Sequence, residues 1–516
     1  MDGVAAVRWL FGDQLGPHFT DDLSLAHGRS TAGGTDGSPD GGRDLGRVLL
    51  VESRRVFARR RFHRAKAHLV LSAMRHRAAE LGDSCTYARV GTYTEALDAV
   101  AGTKTVRHPT SHAALRFVRG RPDVSVLPPR GFATSQADFA AWADGRGTRR
   151  LLLEDFYRDA RRRHGVLMDG DEPVGDRWNF DADNREPPPR SGALDVRGPW
   201  WPTEDDIDGG VREDLDRWER DGDVTFVGRD GPRRFAATRG EALTALEHFV
   251  THRLSGFGPH EDAMLAGDPW MAHSLLSAPM NLGLLDPLEV VARAERSYRE
   301  GAAPLASVEG FVRQVLGWRD YVWHLYWHQP PDYRRRNALQ AGTPLPDWFA
   351  DLDADAVQAR CLSSVLAGVR DHGWVHHIPR LMVLGNWALQ RGIDPGALTD
   401  WFHRSFVDGY DWVMVPNVVG MSQYADGGVM ATKPYASGGS YIDRMSDYCG
   451  GCRFSPNRRV GPDACPYTAG YWAFLARNRP RLTANHRMAQ PLSGLDRLRD
   501  LDALVDQETR RGTEAP

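Results

Sequence analysis

The chain has 516 residues, enough for two to four domains and a large buried core. Its formal net charge of −3 excludes binding of nucleic acid through an overall positive charge, so such a partner must meet a local basic face. No apolar run is long enough to span a membrane, and the N-terminus lacks the apolar core of a secretory signal. We therefore expect a cytoplasmic protein, with no obligate protein partner evident.

Strands and helices alternate in the first domain, residues 1–134. Four apolar runs predict strands: 7–11, 47–52, 86–90 and 124–127. The periodicity of 62–81 predicts a helix with Leu69 and Ala73 on its apolar stripe. This alternation indicates an α/β domain with a parallel sheet. The stretch 26–46 is rich in Gly, Asp and Ser, and we expect a disordered loop there.

Three polar residues lie at the carboxyl ends of the first two predicted strands: Asp13, Gln14 and Glu52. Ligands of parallel α/β sheets bind beyond the carboxyl ends of the strands. These side chains are therefore candidate ligand contacts, the alternative being ordinary polar loop residues.

The rest of the chain divides into three segments. Residues 135–240 are a proline-punctuated connector with a basic helix around Arg158–Arg163, whose alternative interpretation is a solvated helix face. Residues 241–482 are predicted to be an all-helical domain, and residues 483–516 a polar tail with a short helix and a frayed end. The predicted helices of the large domain are 241–254, 287–299, 307–327, 354–371, 377–391 and 396–409.

Four of the five cysteines are spaced as a four-thiolate site requires. Cys449 and Cys452 form a Cys-x2-Cys pair, Cys465 follows in the same loop region, and Cys361 lies in a predicted helix. Such a set can hold zinc or an iron–sulfur cluster, and ligand identity alone does not separate the two.

Several separated motifs resemble the photolyase/cryptochrome family. In the helical half they are 257–264, 307–321 and 376–387. The opening Leu10-Phe-Gly-Asp-Gln-Leu15, the segment Arg177-Trp-Asn-Phe-Asp181 and the four cysteines are similar to the bacterial iron–sulfur branch, whose members are (6-4) photolyases or related photoreceptors. The resemblance extends from about residue 7 to about residue 480.

The resemblance implies three cofactors. FAD would lie in the helical domain, and a 4Fe-4S cluster would be held by Cys361, Cys449, Cys452 and Cys465. The antenna of this branch, 6,7-dimethyl-8-ribityllumazine, would bind in the N-terminal domain, where Asp13, Gln14 and Glu52 are its expected contacts.

The same resemblance implies a set of flavin contacts: Ser274, Ser277, Asn281, Glu309, Arg313, Arg380, Asp408 and Asn417. Short polar groups and positive charge suit the flavin diphosphate, and a cation beside the ring stabilises reduced flavin. Glu309 and Arg313 are four residues apart and share one helix face, so a plain surface ion pair is the alternative for them.

UV-damaged DNA is the expected partner. His376 and His377 would border the cavity for the lesion, and we expect His377 to be the proton donor because histidine titrates near working pH. Trp401 occupies the place of the tryptophan nearest the flavin. The second tryptophan of this branch is replaced by Asp353, and Trp348 is the nearest candidate upstream.

Taken together, the sequence favours light-driven repair of (6-4) pyrimidine–pyrimidone photoproducts by a DNA photolyase. The alternatives are a cryptochrome-like photoreceptor without repair activity and a nucleic-acid-binding protein whose cluster is purely structural.

Overall fold

The computed structural model describes residues 7–23 and 47–516 of the chain. Its sheet has five parallel strands in the order β3-β2-β1-β4-β5. The strands are β1 (Val7–Leu10), β2 (Arg47–Ser53), β3 (Cys85–Val90), β4 (Lys104–Arg107) and β5 (Val124–Leu127). The parallel α/β prediction is confirmed. The prediction of a disordered 26–46 loop lies outside the described residues.

The sheet is covered on both faces, as parallel sheets require. One face, with Leu10, Val48 and Leu50, joins the main hydrophobic core. The other face, with Trp9 and Val106, packs in a separate cluster against short helices. The strand order changes direction between β1 and β4, and such switch points are where α/β sheets bind ligands.

Helices follow the sheet for the remainder of the chain, as predicted. The helices of the sheet region and connector are Arg54–Ala58, Arg64–Leu81, Tyr93–Ala99, His112–Arg119, Gln136–Gly145, Leu153–His164 and Asp206–Arg220. Those of the helical region are Arg239–His252, Leu254–Phe257, Ser277–Asn281, Pro287–Arg299, Leu305–Val312, Asp320–His328, Asp347–Ala350, Arg360–His372, Asn386–Arg391, Pro395–Ser405, Asp411–Val415, Gly439–Met445, Pro466–Leu482, Ala489–Leu495 and Leu501–Arg511. Three π-helical stretches continue such helices: Arg313–Arg319, Pro379–Gly385 and Pro416–Ser422.

Hydrogen bonds from backbone N–H groups join the sheet region to the helical region. The N–H of Leu15 donates to Leu282 O at 3.0 Å. The carboxylate of Asp320 accepts from the N–H groups of Ala133 and Thr134, both at 2.9 Å. The carboxyl edge of the sheet therefore faces the helices that carry the expected flavin contacts.

The C-terminal segment differs from the predicted frayed tail. The helix Leu501–Arg511 buries Glu508, which pairs with Arg391 at 2.7 Å. Beyond it, Pro516 O accepts the N–H groups of Gln358 and Ala359 at 2.6 and 2.8 Å. These partners lie more than a hundred residues earlier, so they leave no local sequence signal.

Hydropathy and length together give no membrane-crossing candidate among the helices of the described ranges.

Candidate cofactor and substrate sites

The structure brings the four cysteines of the expected cluster together around one small cavity. Cys361 lies in the first turn of the helix Arg360–His372, and Cys465 immediately precedes the helix Pro466–Leu482; both are buried. Cys449 and Cys452 lie at the turn of the Cys-x2-Cys pair and are half-buried. The rest of the wall is largely apolar, including Ala359, Ile442 and Phe454.

The spacing of the four sulfur atoms bears on the group they could hold. A tetrahedral zinc ion with Zn–S bonds of about 2.3 Å places its sulfurs about 3.8 Å apart. Across the described residues, no three of the four Sγ atoms lie mutually within 4.8 Å. This arrangement is looser than the one that a bound zinc ion would impose.

Burial favours the protonated thiol at three of the four cysteines, Cys361, Cys449 and Cys465. It raises the pKa of Cys449 to about 12, with further contributions from Asp443 and the neighbouring thiols. Burial likewise raises the pKa values of Cys361 and Cys465. A metal centre would have to displace these protons on binding.

Four of the expected flavin contacts form one hydrogen-bonded network. The Arg380 guanidinium donates to the two carboxylate oxygens of Asp408 at 2.8 and 3.0 Å. Ser277 Oγ donates to the same carboxylate at 2.7 Å, and Asn281 Nδ2 donates to Asp408 O at 2.9 Å. Asp408 lies in the turn after the helix Pro395–Ser405, where the sequence predicted that this helix continues to 409.

Glu309 and Arg313 form a buried pair 3.4 Å apart rather than a surface pair. Arg313 also contacts Asp181 at 3.1 Å, and Glu309 accepts the N–H of Phe180 at 2.8 Å. Arg313 Nε and Glu309 Oε1 are the two atoms of this pair and face each other without hydrogen-bond geometry, and Arg313 Nη2 is buried without a hydrogen-bond partner. Unpaired buried polar atoms are costly, so Nη2 is a place where a bound ligand would supply the missing partner.

Ser274 and Asn417 remain outside the network. Ser274 Oγ accepts the N–H of Leu276 at 3.3 Å, and Asn417 Nδ2 donates to Val413 O at 2.7 Å, within its own helix. The structure brings neither side chain to Arg380 by a hydrogen bond.

The adjacent histidines face different surroundings. His376 is buried, stacks on His273 with ring centroids 4.1 Å apart, and leaves Nδ1 without a partner. His377 is exposed, which suits a residue bordering a substrate cavity. The protein around it and the Arg380 guanidinium lower the pKa of His377 to about 4. In the free protein, therefore, His377 does not gain or lose its proton near working pH.

Trp401 begins a series of aromatic contacts that reaches a partly exposed residue. Trp401 is 1 % exposed and contacts Phe349 with centroids 4.6 Å apart. Phe349 stacks on Trp387 at 5.2 Å, and Trp387 contacts the half-buried Trp348 at 5.0 Å. Asp353, where a tryptophan was expected, caps a short helical turn instead.

At the sheet edge the structure separates the expected antenna contacts. Asp13 follows β1 and accepts from Thr110 Oγ1, which follows β4 across the switch point. Gln14 Nε2 donates to Arg107 O at 3.2 Å. Burial raises the pKa of Asp13 to about 6.

Glu52 is engaged elsewhere. Its carboxylate accepts two hydrogen bonds from Arg75 at 2.9 and 3.0 Å and one from Tyr87 Oη at 2.7 Å. Arg75 projects from the helix Arg64–Leu81, so Glu52 joins this helix to the sheet.

The basic helix of the connector is only partly exposed. Arg158 and Arg162 are exposed and lie over the ring of Trp178. Arg161 is buried and donates to the carbonyl oxygens of Trp178 and Val166. Arg161 is therefore not available to DNA phosphate, because its guanidinium is bonded inside the protein.

Sequence reasoning missed Lys66, Arg319 and His273. Arg319 Nη1 donates to Asn281 Oδ1 at 2.6 Å and so extends the Asp408 network. Lys66 lies three residues before Leu69, on the predicted apolar stripe of its helix, and a lysine on such a stripe was the available signal.

Comparisons with known proteins agree with this architecture. Residues 39–222 match the family model described as "Deoxyribodipyrimidine photo-lyase-related protein". The chain is 43% identical over 448 residues to a (6-4) photolyase of Agrobacterium fabrum (strain C58), covering 83% of this chain and 86% of that protein.

Two solved structures share the fold at low identity. A bacterial class III photolyase from Agrobacterium tumefaciens matches with a TM-score of 0.56 and 14% identity, over 98% of this chain and 99% of the other. A cryptochrome of Synechocystis sp. PCC6803 matches with a TM-score of 0.54 and 12% identity, over 99% and 100% of the two chains.

Proposed function

The chain belongs to the photolyase/cryptochrome family, in its deoxyribodipyrimidine photolyase-related branch, and we propose that it repairs (6-4) pyrimidine–pyrimidone photoproducts of DNA in a light-dependent reaction. The observation that carries the proposal is the exposed His377 beside the buried Arg380–Asp408 pair, in a chain 43% identical to a (6-4) photolyase over most of its length. Nothing among the described residues favours a photoreceptor over repair.

FAD fits the network of the helical region. Ser277, Asn281, Arg380 and Asp408 supply hydroxyl, amide and charged groups on adjoining elements. When bound and reduced, FAD supplies the light-driven electron for repair. Ser277 and Arg380 orient the Asp408 carboxylate, and Arg380 keeps a positive charge at the place where the family has the flavin ring.

The buried Nη2 of Arg313, which has no hydrogen-bond partner, provides a further contact for this cofactor. We assign Arg313 to its diphosphate region, because a guanidinium with free N–H groups is suited to phosphate oxygens. Glu309 then holds Arg313 in place and joins it to Phe180 of the connector.

His377 supplies the proton that the rearranging lesion requires. Its low pKa makes the ring neutral before DNA binds, so His377 must take up a proton in the complex before it can donate one to the lesion, and it regains that proton at the end of the cycle. The phosphates of bound DNA oppose the charge of Arg380 and raise the pKa of His377 toward the working range. His376 supports the site from behind through its stack on His273.

A 4Fe-4S cluster is the group we assign to the four cysteines. The four cysteines line one cavity, and the resemblance to the iron–sulfur branch favours a cluster over a single zinc ion. The largely apolar wall fits a cluster shielded from water.

The lumazine antenna is assigned to the switch point between β1 and β4. Asp13, Gln14 and Thr110 meet there, whereas Glu52 is committed to Arg75 and Tyr87. Asp13 is therefore the better candidate than Glu52 for an antenna contact.

Repair of a synthetic (6-4) oligonucleotide under blue light tests the proposal directly. The purified, photoreduced parent protein should restore the two pyrimidines, and a dark sample should not. His377→Ala should bind the lesion nearly as the parent does, since affinity comes chiefly from phosphate contacts such as Arg158 and Arg162. Its repair rate should fall about a hundred- to ten-thousand-fold, the usual range for a lost general acid.

Arg54→Ala is a suitable control, because Arg54 is an exposed residue of the sheet region paired with Asp223. It should repair at the parental rate. Unchanged repair in His377→Ala would assign the proton to another group, and absence of repair by the parent with its flavin bound would refute the proposed function.

A further inference from the structure

Lys66 is a buried cation that the proposed mechanism does not use. The residue is 5 % exposed and lies in the first turn of the helix Arg64–Leu81, in the sheet region. Its Nζ donates to His403 O at 2.6 Å and to Gly409 O. The rings of Phe62 and Tyr410 lie 5.3 and 5.2 Å from the ammonium. Two carbonyl oxygens and two aromatic rings make an enclosure suited to a positive charge.

The acceptors of Lys66 lie where a helix ends. The last carbonyl groups of the helix Pro395–Ser405 have no partners within that helix. The N–H of His63 donates to Arg404 O at 2.8 Å, and Lys66 takes the neighbouring carbonyl of His403. A cation at a helix C-terminus also interacts favourably with the helix dipole.

The second acceptor adjoins the expected flavin site. Asp408 and Gly409 are consecutive, and their carbonyl oxygens are held from two sides. Asn281 of the helical region donates to Asp408 O, and Lys66 of the sheet region donates to Gly409 O. A side chain at Gly409 would meet the carbonyl oxygens of Phe402, His403 and Phe406 within 3.0 Å, so the turn is tightly packed. The position of this turn is therefore set by its packing and by the hydrogen bonds from Asn281 and Lys66.

We propose that Lys66 is a positioning residue of the flavin site: its ammonium, reaching from the sheet region, fixes the 406–409 turn so that Asp408 meets Arg380 and Ser277. The inference rests on the proposed function, because it takes Asp408 and Arg380 as the flavin-side pair. It assigns to the sheet region a part in flavin binding, exerted through this turn and separate from any antenna.

The surroundings of Lys66 make this support dependent on pH. Burial lowers the pKa of Lys66 to about 7, partly offset by the carboxylates of Asp408 and Asp411, and Arg60 lowers it further. The other titratable groups against the ammonium are His403, which burial keeps neutral, and Tyr410, whose pKa is raised by burial. As pH rises through about 7 the ammonium loses its proton, and the hold on Gly409 weakens.

FAD affinity of the flavin-free protein, measured by fluorescence titration between pH 6 and 9, tests the inference. The parent should bind FAD more weakly as pH rises through about 7. Lys66→Met should weaken binding about tenfold at pH 6, the scale of a hydrogen bond from a charged donor, and remove the inflection. Lys66→Arg keeps a charge at every pH and should also remove the inflection. Lys104→Met is the matched control, because Lys104 is a buried lysine of the same region that pairs with Asp123; this variant should keep the parental pH profile.

Each outcome decides between the inference and its alternatives. Parental affinity and pH profile in Lys66→Met overturn the inference while leaving the proposed function intact. A pH inflection in FAD affinity that persists in Lys66→Arg also overturns the inference. If circular dichroism shows that Lys66→Met does not fold, the result for Lys66→Arg is the one that decides. A parent that binds no FAD overturns the proposed function, and the inference with it.

Discussion

Replacing Asp408 by Asn tests whether the Arg380–Asp408 pair is a buried charge pair that fixes its turn. The side chains of Arg380 and Asp408 are only 14 % and 7 % exposed. Asn keeps the shape of Asp but not its charge, so Arg380 would remain largely buried without a counter-ion. The exposed pair Arg61–Asp351 provides a comparison, since its side chains are 46 % and 49 % exposed.

The two pairs should differ clearly in free energy of unfolding. Removing one partner of a buried pair costs about 3–5 kcal/mol, and the amide of Asn can still accept one hydrogen bond, so we expect about 3 kcal/mol for Asp408→Asn. An exposed pair is worth about 0–1 kcal/mol, so Asp351→Asn should cost about 0.5 kcal/mol or less.

Urea unfolding of the flavin-free protein, followed by circular dichroism at neutral pH, measures both values under the same conditions. Added salt should reduce the small effect of Asp351→Asn and leave that of Asp408→Asn nearly unchanged, because buried charges are poorly screened. Equal losses in the two variants would refute the reasoning, since they would mean that Arg380 is solvated well enough to stand alone.

Three further results are expected. Trp401→Phe should slow flavin photoreduction with FAD still bound, and Trp348→Phe should slow it too, because phenylalanine is hard to oxidise. If transient absorption shows photoreduction at the parental rate in both variants, the electron reaches the flavin by another route. Purified parent protein should contain about four iron atoms per chain, and Cys361→Ser should lose most of them while retaining FAD; elemental analysis that finds zinc and no iron would contradict the assignment. The raised pKa of Asp13 costs the parent stability as pH rises from about 4 to about 6, so over that interval Asp13→Asn should become more stable relative to the parent. Above about pH 6 the difference in free energy of unfolding should stay constant. A difference that does not change with pH would contradict the burial of this carboxyl.

Local sequence patterns were sufficient to predict most of the helices and strands. The strand at 124–127 and the helix Pro287–Arg299 have the bounds that the sequence predicted, because each is long or apolar enough to show its own period. The strand Lys104–Arg107 was missed, since its four residues begin and end with charged side chains. Those charges are tolerated because Lys104 pairs with Asp123, a contact the local pattern does not reveal.

At the candidate sites, the sequence indicated residue types but not their partners. Glu52 stands at the carboxyl end of its strand as predicted, yet Arg75 from another element takes its carboxylate. The cysteines meet as the resemblance implied, because the spacing of a thiolate set is itself a sequence property. The low pKa of His377 depends on the protein around it and on Arg380, which become known only when the chain is folded. Lys66 was visible only as an exception to an apolar stripe.

The contacts of residues 501–516 have a consequence for biosynthesis. Gln507 bonds to Gly461 and Arg459, and Pro516 to the residues just before Cys361, so this stretch ties together the two parts of the chain that carry the cysteines. A ribosome delivers residues in order, and all four cysteines have been synthesised before this stretch exists. During that interval the cysteine cavity lacks its last restraints, and a cofactor inserted late in translation would meet a more open entrance than the finished protein offers.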